Sequence, residues 1–170
     1  MKIDVSELIN NSGARLEASG KAELEPVASG YATYAFKEPV AVSAVFECVG
    51  DAIELTAKAS GTAVTDCARC SRSVDVPFEF DFEELIATGK DADPDDAELH
   101  LEGSIVDLDA ITADNFSLYA WSRVLCSEDC KGLCPVCGAD LNVSDCGCDR
   151  TTSDPRFSGL DELLKKGKLL

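Results

Sequence analysis

The chain has 170 residues, of which 45% are apolar and 28% are charged, and these globular proportions argue against wholesale disorder. Its 15 basic and 32 acidic residues give a net charge of −17, which disfavours a nonspecific grip on nucleic acid or on an anionic membrane. The acidity is concentrated in residues 1–120, which carry eight Lys or Arg against 24 Asp or Glu.

The first ten residues, MKIDVSELIN, lack the basic start and the apolar run of a signal peptide. No apolar stretch approaches the length that spans a bilayer, so the sequence predicts a cytoplasmic protein without a membrane partner. Thiols stay reduced in the cytoplasm, and the nine cysteines are therefore predicted to include metal ligands rather than disulfides.

The predicted elements begin with a short helix at Val5–Asn10. After a stretch without a firm period, two adjacent strands are predicted at residues 40–46 and 53–59, with Gly50–Asp51 as the turn. The clearest alternation runs from Val74 to Phe82, where one face is apolar and the other is acidic. Pro77 has no backbone donor, which predicts an edge strand or a bulge at that position.

Residues 88–97 are predicted as a solvated loop, followed by a short strand near residues 98–101 and a helix from about Thr112 to Leu125. A last helix is predicted after Asp154-Pro155-Arg156. These elements predict an α+β fold with a mainly antiparallel β-sheet, a few helices and a C-terminal zinc-binding module. We expect residues 1–125 to form an acidic β-rich domain and residues 126–170 a cysteine-rich module packed on it.

Eight of the cysteines come in short pairs, which predicts two structural zinc sites of four thiolates each. The Cys-Pro-Val-Cys-Gly sequence at 134–138 is a specific knuckle signal, whereas a lone Cys-x-x-Cys would be weak. The compact grouping puts Cys134, Cys137, Cys146 and Cys148 in one site and Cys67, Cys70, Cys126 and Cys130 in the other. The second of these sites would clip a β-hairpin to the end of a helix, and residues 126–150 are predicted to need metal to fold.

Disulfides and a redox dithiol are weaker alternatives, because no oxidising compartment is signalled and Cys67 and Cys70 lie between strands. Cys48 is predicted to be a buried core residue and His100 a surface strand residue. A catalytic zinc site would need an open position, usually with a histidine or carboxylate ligand and a nearby acid or base. The chain has one histidine and no catalytic motif, so we expect no enzyme activity and no small-molecule substrate.

The order of these motifs resembles the YceD-like family, the large ribosomal RNA subunit accumulation proteins. The resemblance spans about residues 40–165 and depends on Cys67-Ala-Arg-Cys70, the cysteine block Leu125–Cys148 and the segment Asp154–Leu164. It implies a bacterial ribosome biogenesis factor needed for accumulation of the large-subunit ribosomal RNA, with no established catalytic activity.

The expected partner is a basic ribosomal protein or the pre-ribosomal large subunit, because an acidic body suits a basic partner. Any contact with ribosomal RNA would be local, and Arg69, Lys131, Arg150 and Arg156 are the candidates for contact with RNA or a partner. Arg69 could instead donate to carbonyl groups of its own chain. A direct RNA-binding zinc module and a thiol-redox or metal-handling protein remain the alternative functions.

Overall fold

The computed structural model describes residues 1–9, 11–50, 52–87, 99–101 and 103–150. These residues form nine strands and one helix, and the predicted α+β fold with a mainly antiparallel sheet is confirmed. In chain order the elements are β1 (Lys2–Asp4), β2 (Arg15–Ala22), β3 (Val27–Ser29), β4 (Ala32–Phe36), β5 (Val40–Val49), β6 (Ala52–Asp66), β7 (Ser73–Ala87), β8 (Leu99–His100), β9 (Ile105–Asp107) and α1 (Leu108–Tyr119).

The main sheet is built around β6 and β7, which pair antiparallel along their full 15-residue lengths. On the other edge of β6, β5 pairs with residues 52–60, and β2 pairs with β5. β4 pairs with β6 farther along, at Ala63 and Val64, and β3 pairs with β4. β8 adds in parallel to β7 at Ile86 and Ala87, while β1 and β9 form a separate two-stranded sheet.

β7 confirms the alternation predicted from the sequence. Its inner face carries the buried residues Val76, Phe78, Phe80 and Phe82, and its outer face carries the exposed residues Asp75, Glu79 and Asp81. Pro77 lies opposite Thr62 of β6, and among the described strands β7 has a neighbour on its other side only at Ile86–Ala87. The proline therefore lies in an edge segment of β7, as predicted for a residue that lacks a backbone N–H.

The core is closed by α1, which packs Phe116 against the aromatic side chains of the sheet. The helix is predicted at 112–125 but observed at Leu108–Tyr119, because Asp107 caps it and Ala120 already has an extended backbone. The carboxylate of Asp107 accepts from the backbone N–H of Asp109, which satisfies one of the free donors of the first turn. The predicted start is four residues late and the predicted end six residues late.

The N-terminal third differs most from the sequence-based predictions. The short helix predicted at Val5–Asn10 is wrong for its described part, since residues 6–9 form hydrogen-bonded turns in which Leu8 N–H donates to Val5 O. β2, β3 and β4 were not predicted. The inward residues of β2 are mostly small, as at Ala18 and Gly20, and give a weak apolar signal.

Two side-chain hydrogen bonds hold the backbone just after the end of α1. The hydroxyl of Ser29 donates to Ala120 O at 2.8 Å, and the hydroxyl of Tyr34 donates to Trp121 O at 2.5 Å. The chain then reaches the loop between β6 and β7, where Ala68 N–H donates to Val124 O at 2.8 Å. Cysteines more than fifty residues apart in the sequence are thereby brought together.

Within the described residues, no helix has the length and apolar character needed to cross a membrane. The predicted loop at 88–97, the predicted last helix and Arg156 lie outside the described residues. The division of the chain after residue 125 stays a prediction.

Candidate metal centres

The first cluster consists of Cys67, Cys70, Cys126 and Cys130, whose sulfur atoms all lie within 4.8 Å of one another. The sulfurs of Cys67 and Cys130 are 3.8 Å apart, and those of Cys70 and Cys126 are 3.6 Å apart. Four thiolates placed tetrahedrally at about 2.3 Å from a zinc ion are separated by about 3.8 Å. These two sulfur separations are therefore close to the edge length of a zinc–thiolate tetrahedron.

The second cluster consists of Cys134, Cys137, Cys146 and Cys148, again with sulfur atoms within 4.8 Å of one another. This grouping of the eight cysteines is the compact one predicted from their spacing. The clusters differ in burial: Cys67 and Cys130 are each 2% exposed, whereas Cys137 is exposed. We infer that the first cluster is the better protected from solvent.

Each cluster contains a knuckle with the same backbone hydrogen bonds. In the first, Cys67 N–H donates to Arg72 O at 2.8 Å and Ser71 N–H donates to Cys67 O at 2.9 Å. In the second, both equivalent bonds are 2.8 Å long, from the N–H of Cys134 to Ala139 O and from the N–H of Gly138 to Cys134 O. The turn points the two cysteine side chains of each knuckle towards one centre.

Ser71 occupies the knuckle position that Gly138 occupies in the second cluster. Its φ of 54° is left-handed, a conformation that costs a residue with a Cβ about 1–2 kcal/mol. We predict that Ser71→Gly raises the free energy of unfolding of the metal-loaded protein by about 1 kcal/mol, because the left-handed strain is relieved. The greater conformational entropy that glycine gives the unfolded chain offsets part of this gain. Urea denaturation of the wild type and the variant measures the difference.

Ser73→Gly is the matched control, because Ser73 begins the extended strand β7. Glycine there is expected to lower stability by about 0.5–1 kcal/mol. An equal loss of stability in both variants would contradict the account of Ser71.

Arg69 joins the first knuckle to the segment that carries Cys126 and Cys130. Its exposed guanidinium donates to Cys130 O at 2.7 Å, while its carbonyl accepts from Leu133 N–H at 3.0 Å. Position 132 requires glycine, because its φ is 76° and a Cβ there would lie only 2.9 Å from Arg69 O. Arg69 thus takes the second of the two roles that the sequence left open, and its contact with RNA or a partner stays a prediction.

Hydrogen bonds and burial divide the acidity of the first cluster unequally. Burial raises the pKa of the Cys67 thiol, but backbone N–H groups, including those of Arg69 and Cys126, outweigh it and bring the pKa to about 6. For Cys70, the N–H of Arg72 lowers the pKa, whereas burial and the neighbouring sulfurs raise it to about 12. The Cys67 sulfur therefore ionises readily, whereas the raised pKa of Cys70 opposes ionisation beside it.

The second cluster repeats this division. Backbone N–H groups of Cys137 and Val136 lower the pKa of Cys134 to about 6. Contacts with the sulfurs of Cys146 and Cys137 raise the pKa of Cys148 to about 12. Four neighbouring thiolates need positive charge to ionise together, and a divalent cation supplies it. The sulfur-only donor sets fit zinc or iron, and each cluster could hold one ion.

Side chains that the sequence did not single out connect the two clusters. The side-chain amide of Asn142 donates to the sulfur of Cys130 at 3.6 Å, and its oxygen accepts from Lys131 N–H at 2.8 Å. Arg72 forms an ion pair of 3.3 Å with Asp140. Asp140 and Asn142 follow directly after the second knuckle, and Asp and Asn at such positions commonly form side-chain hydrogen bonds to nearby backbone groups. This placement is the sequence signal from which polar contacts of the loop could have been predicted.

The remaining predicted residues are located as follows. Cys48 is 4% exposed and belongs to the hydrophobic core, as predicted. Lys131 is exposed, and Arg150 forms an ion pair of 2.9 Å with Asp145. Lys131 and Arg150 both line a cavity of about 360 Å³ beside the second cluster. A role in RNA or partner contact stays a prediction for both residues.

The comparison with protein families matches the model described as large ribosomal RNA subunit accumulation protein YceD over residues 55–164, well over half of the chain. The chain belongs to the YceD family. The resemblance noted from the cysteine blocks is confirmed. The match begins at residue 55, inside β6, and so includes both cysteine clusters.

Curated relatives of the chain occur in several bacteria. The uncharacterized protein Rv2926c of Mycobacterium tuberculosis is 31% identical over 122 residues, which cover 69% of this chain and 58% of that protein. The uncharacterized protein YlbN of Bacillus subtilis is 30% identical over 109 residues, or 63% of each chain. This chain therefore spans less than two thirds of the length of these relatives. No solved structure gives a significant match.

Proposed function

We propose that this chain is a zinc-binding ribosome biogenesis factor that supports accumulation of the large-subunit ribosomal RNA by binding, without catalysing a reaction. The observation that carries the proposal is the YceD family match across a segment that contains both four-cysteine clusters. The proposal locates the protein in the cytoplasm, where ribosomes assemble and thiols stay reduced.

The metal in this proposal is structural zinc at both clusters. Sulfur separations of 3.6 and 3.8 Å in the first cluster support it, since they suit zinc–thiolate bonds, and the four sulfurs of the second cluster also lie within 4.8 Å of one another. The ligands come from distant parts of the chain, so bound metal would stabilise the contact between the β6–β7 loop and residues 124–133. Zinc would thereby help to shape a binding surface.

The partner in this proposal is a basic ribosomal protein or the pre-ribosomal large subunit. The net charge of −17 supports a basic partner, as does the outer face of the sheet. On that face, exposed Glu17, Asp81 and Glu83 line an open concavity of about 550 Å³ together with Lys58. Direct contact with ribosomal RNA would be confined to local cations such as Lys131 and Arg150.

A thiol-redox or metal-handling function predicts different behaviour. Zinc would exchange readily, and a mild oxidant would form a reversible disulfide. The near-complete burial of Cys67 and Cys130 favours the structural alternative for the first cluster.

The decisive experiment compares two pairs of charge reversals in the zinc-loaded protein. Binding to purified large-subunit proteins and to ribosomal RNA is measured by interferometry at several salt concentrations. We expect Asp81→Lys with Glu83→Lys to slow association with a basic ribosomal protein about tenfold or more at low salt, because steering is lost. Lys131→Glu with Arg150→Glu is expected to leave that association unchanged.

The opposite pattern would support the direct RNA-binding alternative. Tight, steeply salt-dependent binding to ribosomal RNA that is lost in the Lys131 and Arg150 variant, with no binding to any large-subunit protein, contradicts the proposal.

A further inference from the structure

The two clusters meet at Asn142, which follows the second knuckle in the chain. Its Nδ2 lies 3.6 Å from the sulfur of Cys130, a member of the first cluster. Its Oδ1 accepts from the backbone N–H of Lys131 at 2.8 Å. A residue of one cluster's loop thus donates a hydrogen bond to a sulfur of the other cluster.

Residues 131–142 form a hairpin between the clusters, which we call the inter-cluster hairpin. Its two arms are joined by hydrogen bonds from Cys134 N–H to Ala139 O and from Leu141 N–H to Gly132 O, at 2.8 and 3.0 Å, around an isolated bridge between Leu133 and Asp140. The knuckle of the second cluster forms its turn. The hairpin starts immediately after Cys130 and returns to it through Asn142, so its geometry affects both clusters.

A second contact holds the same hairpin against the first cluster's knuckle. Arg72, whose carbonyl accepts from Cys67 N–H, lies 3.3 Å from the carboxylate of Asp140. Asp140 in turn accepts from the backbone N–H of Asn142 at 2.8 Å and from its side-chain amide at 2.7 Å. These bonds orient the amide of Asn142 towards Cys130.

We propose that the two clusters bind metal with positive coupling and that Asn142 is the residue that transmits it. The inference depends on the proposed binding of metal at both clusters. Metal at the second cluster holds Cys134 and Cys137 and thereby orders the inter-cluster hairpin. The ordered hairpin presents Asn142 to Cys130, where its N–H stabilises the negative charge of the thiolate.

Hydrogen-bond partners of metal ligands typically contribute about 10–100-fold to metal affinity. We therefore expect a coupling factor of about ten or more between the clusters. By linkage, metal at the first cluster strengthens binding at the second by the same factor. Both clusters would then become occupied by zinc over a narrow range of free zinc concentration.

The coupling factor is defined by three zinc affinities, measured by competition with a chelator under reducing conditions. The first is the product of both affinities in the wild type. The second comes from the Cys146→Ser, Cys148→Ser variant, which keeps the first cluster. The third comes from the Cys67→Ser, Cys70→Ser variant, which keeps the second. With each affinity expressed as an association constant, the coupling factor is the wild-type product divided by the product of the two single-cluster constants.

The same three affinities are then measured with Asn142 replaced. Asn142→Ala is expected to bring the coupling factor close to one while native mass spectrometry still counts two zinc ions. Asn142→Asp keeps an acceptor for Lys131 N–H but loses the amide that donates to Cys130 and to Asp140, and it is expected to lower the factor equally. Val143→Ala is the matched control, since the Val143 side chain is 79% exposed.

The outcomes separate the inference from the proposed function. Two bound zinc ions with a wild-type factor near one overturn the coupling. A large wild-type factor that is unchanged in both Asn142 variants overturns the role of Asn142. Both outcomes leave metal binding intact. Failure of the wild-type protein to bind zinc at either cluster overturns the proposed function, and the coupling with it.

Discussion

Replacing Cys130 by serine is expected to remove one of two bound zinc ions and to release residues 124–133 from the β6–β7 loop. The apparent binding free energy of a structural zinc ion is about 10–16 kcal/mol, so one of four ligands represents roughly 3 kcal/mol, or more than a hundredfold in affinity. Cys130 is 2% exposed and lies 3.8 Å from the sulfur of Cys67, so another side chain or water cannot readily take its place.

Elemental analysis and native mass spectrometry of protein purified without added metal measure the first part of this prediction. The wild type should contain two zinc ions and the variant one. Hydrogen exchange measures the second part, because the N–H groups of Ala68 and Leu133 donate across the contact between the two segments. Both amides should lose protection in the variant while the sheet keeps its own.

Cys48→Ser is the matched control for the loss of a thiol. Cys48 lies in the core, and its sulfur faces Gly50 O at 3.8 Å, outside both clusters. The control should keep both zinc ions. A wild-type protein with one zinc ion or none, or a Cys130→Ser protein with two, would contradict the two-site proposal.

Phe116→Ala is expected to destabilise the sheet-and-helix core by about 3–5 kcal/mol, because it removes a fully enclosed aromatic ring. Phe116 is 2% exposed, and its ring lies 4.9 Å from that of Phe78 and 5.1 Å from that of Phe36, centre to centre. The ring of Tyr34 lies edge-on to it at 5.4 Å. Such edge-to-face contacts add to the cost of the cavity. Urea denaturation measures the loss.

Leu118→Ala on the same helix controls for helix propensity. The Leu118 side chain is 84% exposed, so its truncation should change the free energy of unfolding by less than about 0.5 kcal/mol. A loss below about 1 kcal/mol for Phe116→Ala would contradict the packing of α1 on the sheet described above.

The candidate sites could be predicted largely from the sequence because cysteine pairs with short spacing act locally. A turn of four residues brings Cys134 and Cys137 together whatever the rest of the chain does, and the following Gly138 permits the positive φ of 75°. The grouping with Cys146 and Cys148 follows from proximity in the chain. The contact of Asn142 with Cys130 could not be predicted, because it depends on how the hairpin folds back.

Strands with large inward-facing apolar side chains could be predicted from the sequence, whereas strands with small ones could not. β7 alternates four buried apolar residues with exposed residues that are mostly acidic, and its period is plain from the sequence. β2 has the same polar alternation at Arg15, Glu17 and Ser19, but the residues between them are mostly small. Small side chains give little apolar periodicity, so its place beside β5 was visible only in the fold.

The end of α1 illustrates the influence of tertiary contacts. The apolar residues Val124 and Leu125 extend the helical pattern, and the sequence therefore predicts a helix that continues to residue 125. In the fold, Ala120 is already extended, with φ −66° and ψ 142°, and the carbonyls of Ala120 and Trp121 accept from Ser29 and Tyr34. Hydrogen bonds from distant strands compensate for those that a longer helix would have made.

The sequence by itself determined the family, the antiparallel character of the sheet and the eight cysteines of the two clusters, since each depends on residue type at short spacing. Tertiary structure alone decided that Arg69 donates to Cys130 O, that Asn142 donates to the Cys130 sulfur and that α1 ends at Tyr119. These contacts join residues that meet only after the hairpins and the helix have packed. Local sequence patterns therefore do not specify them.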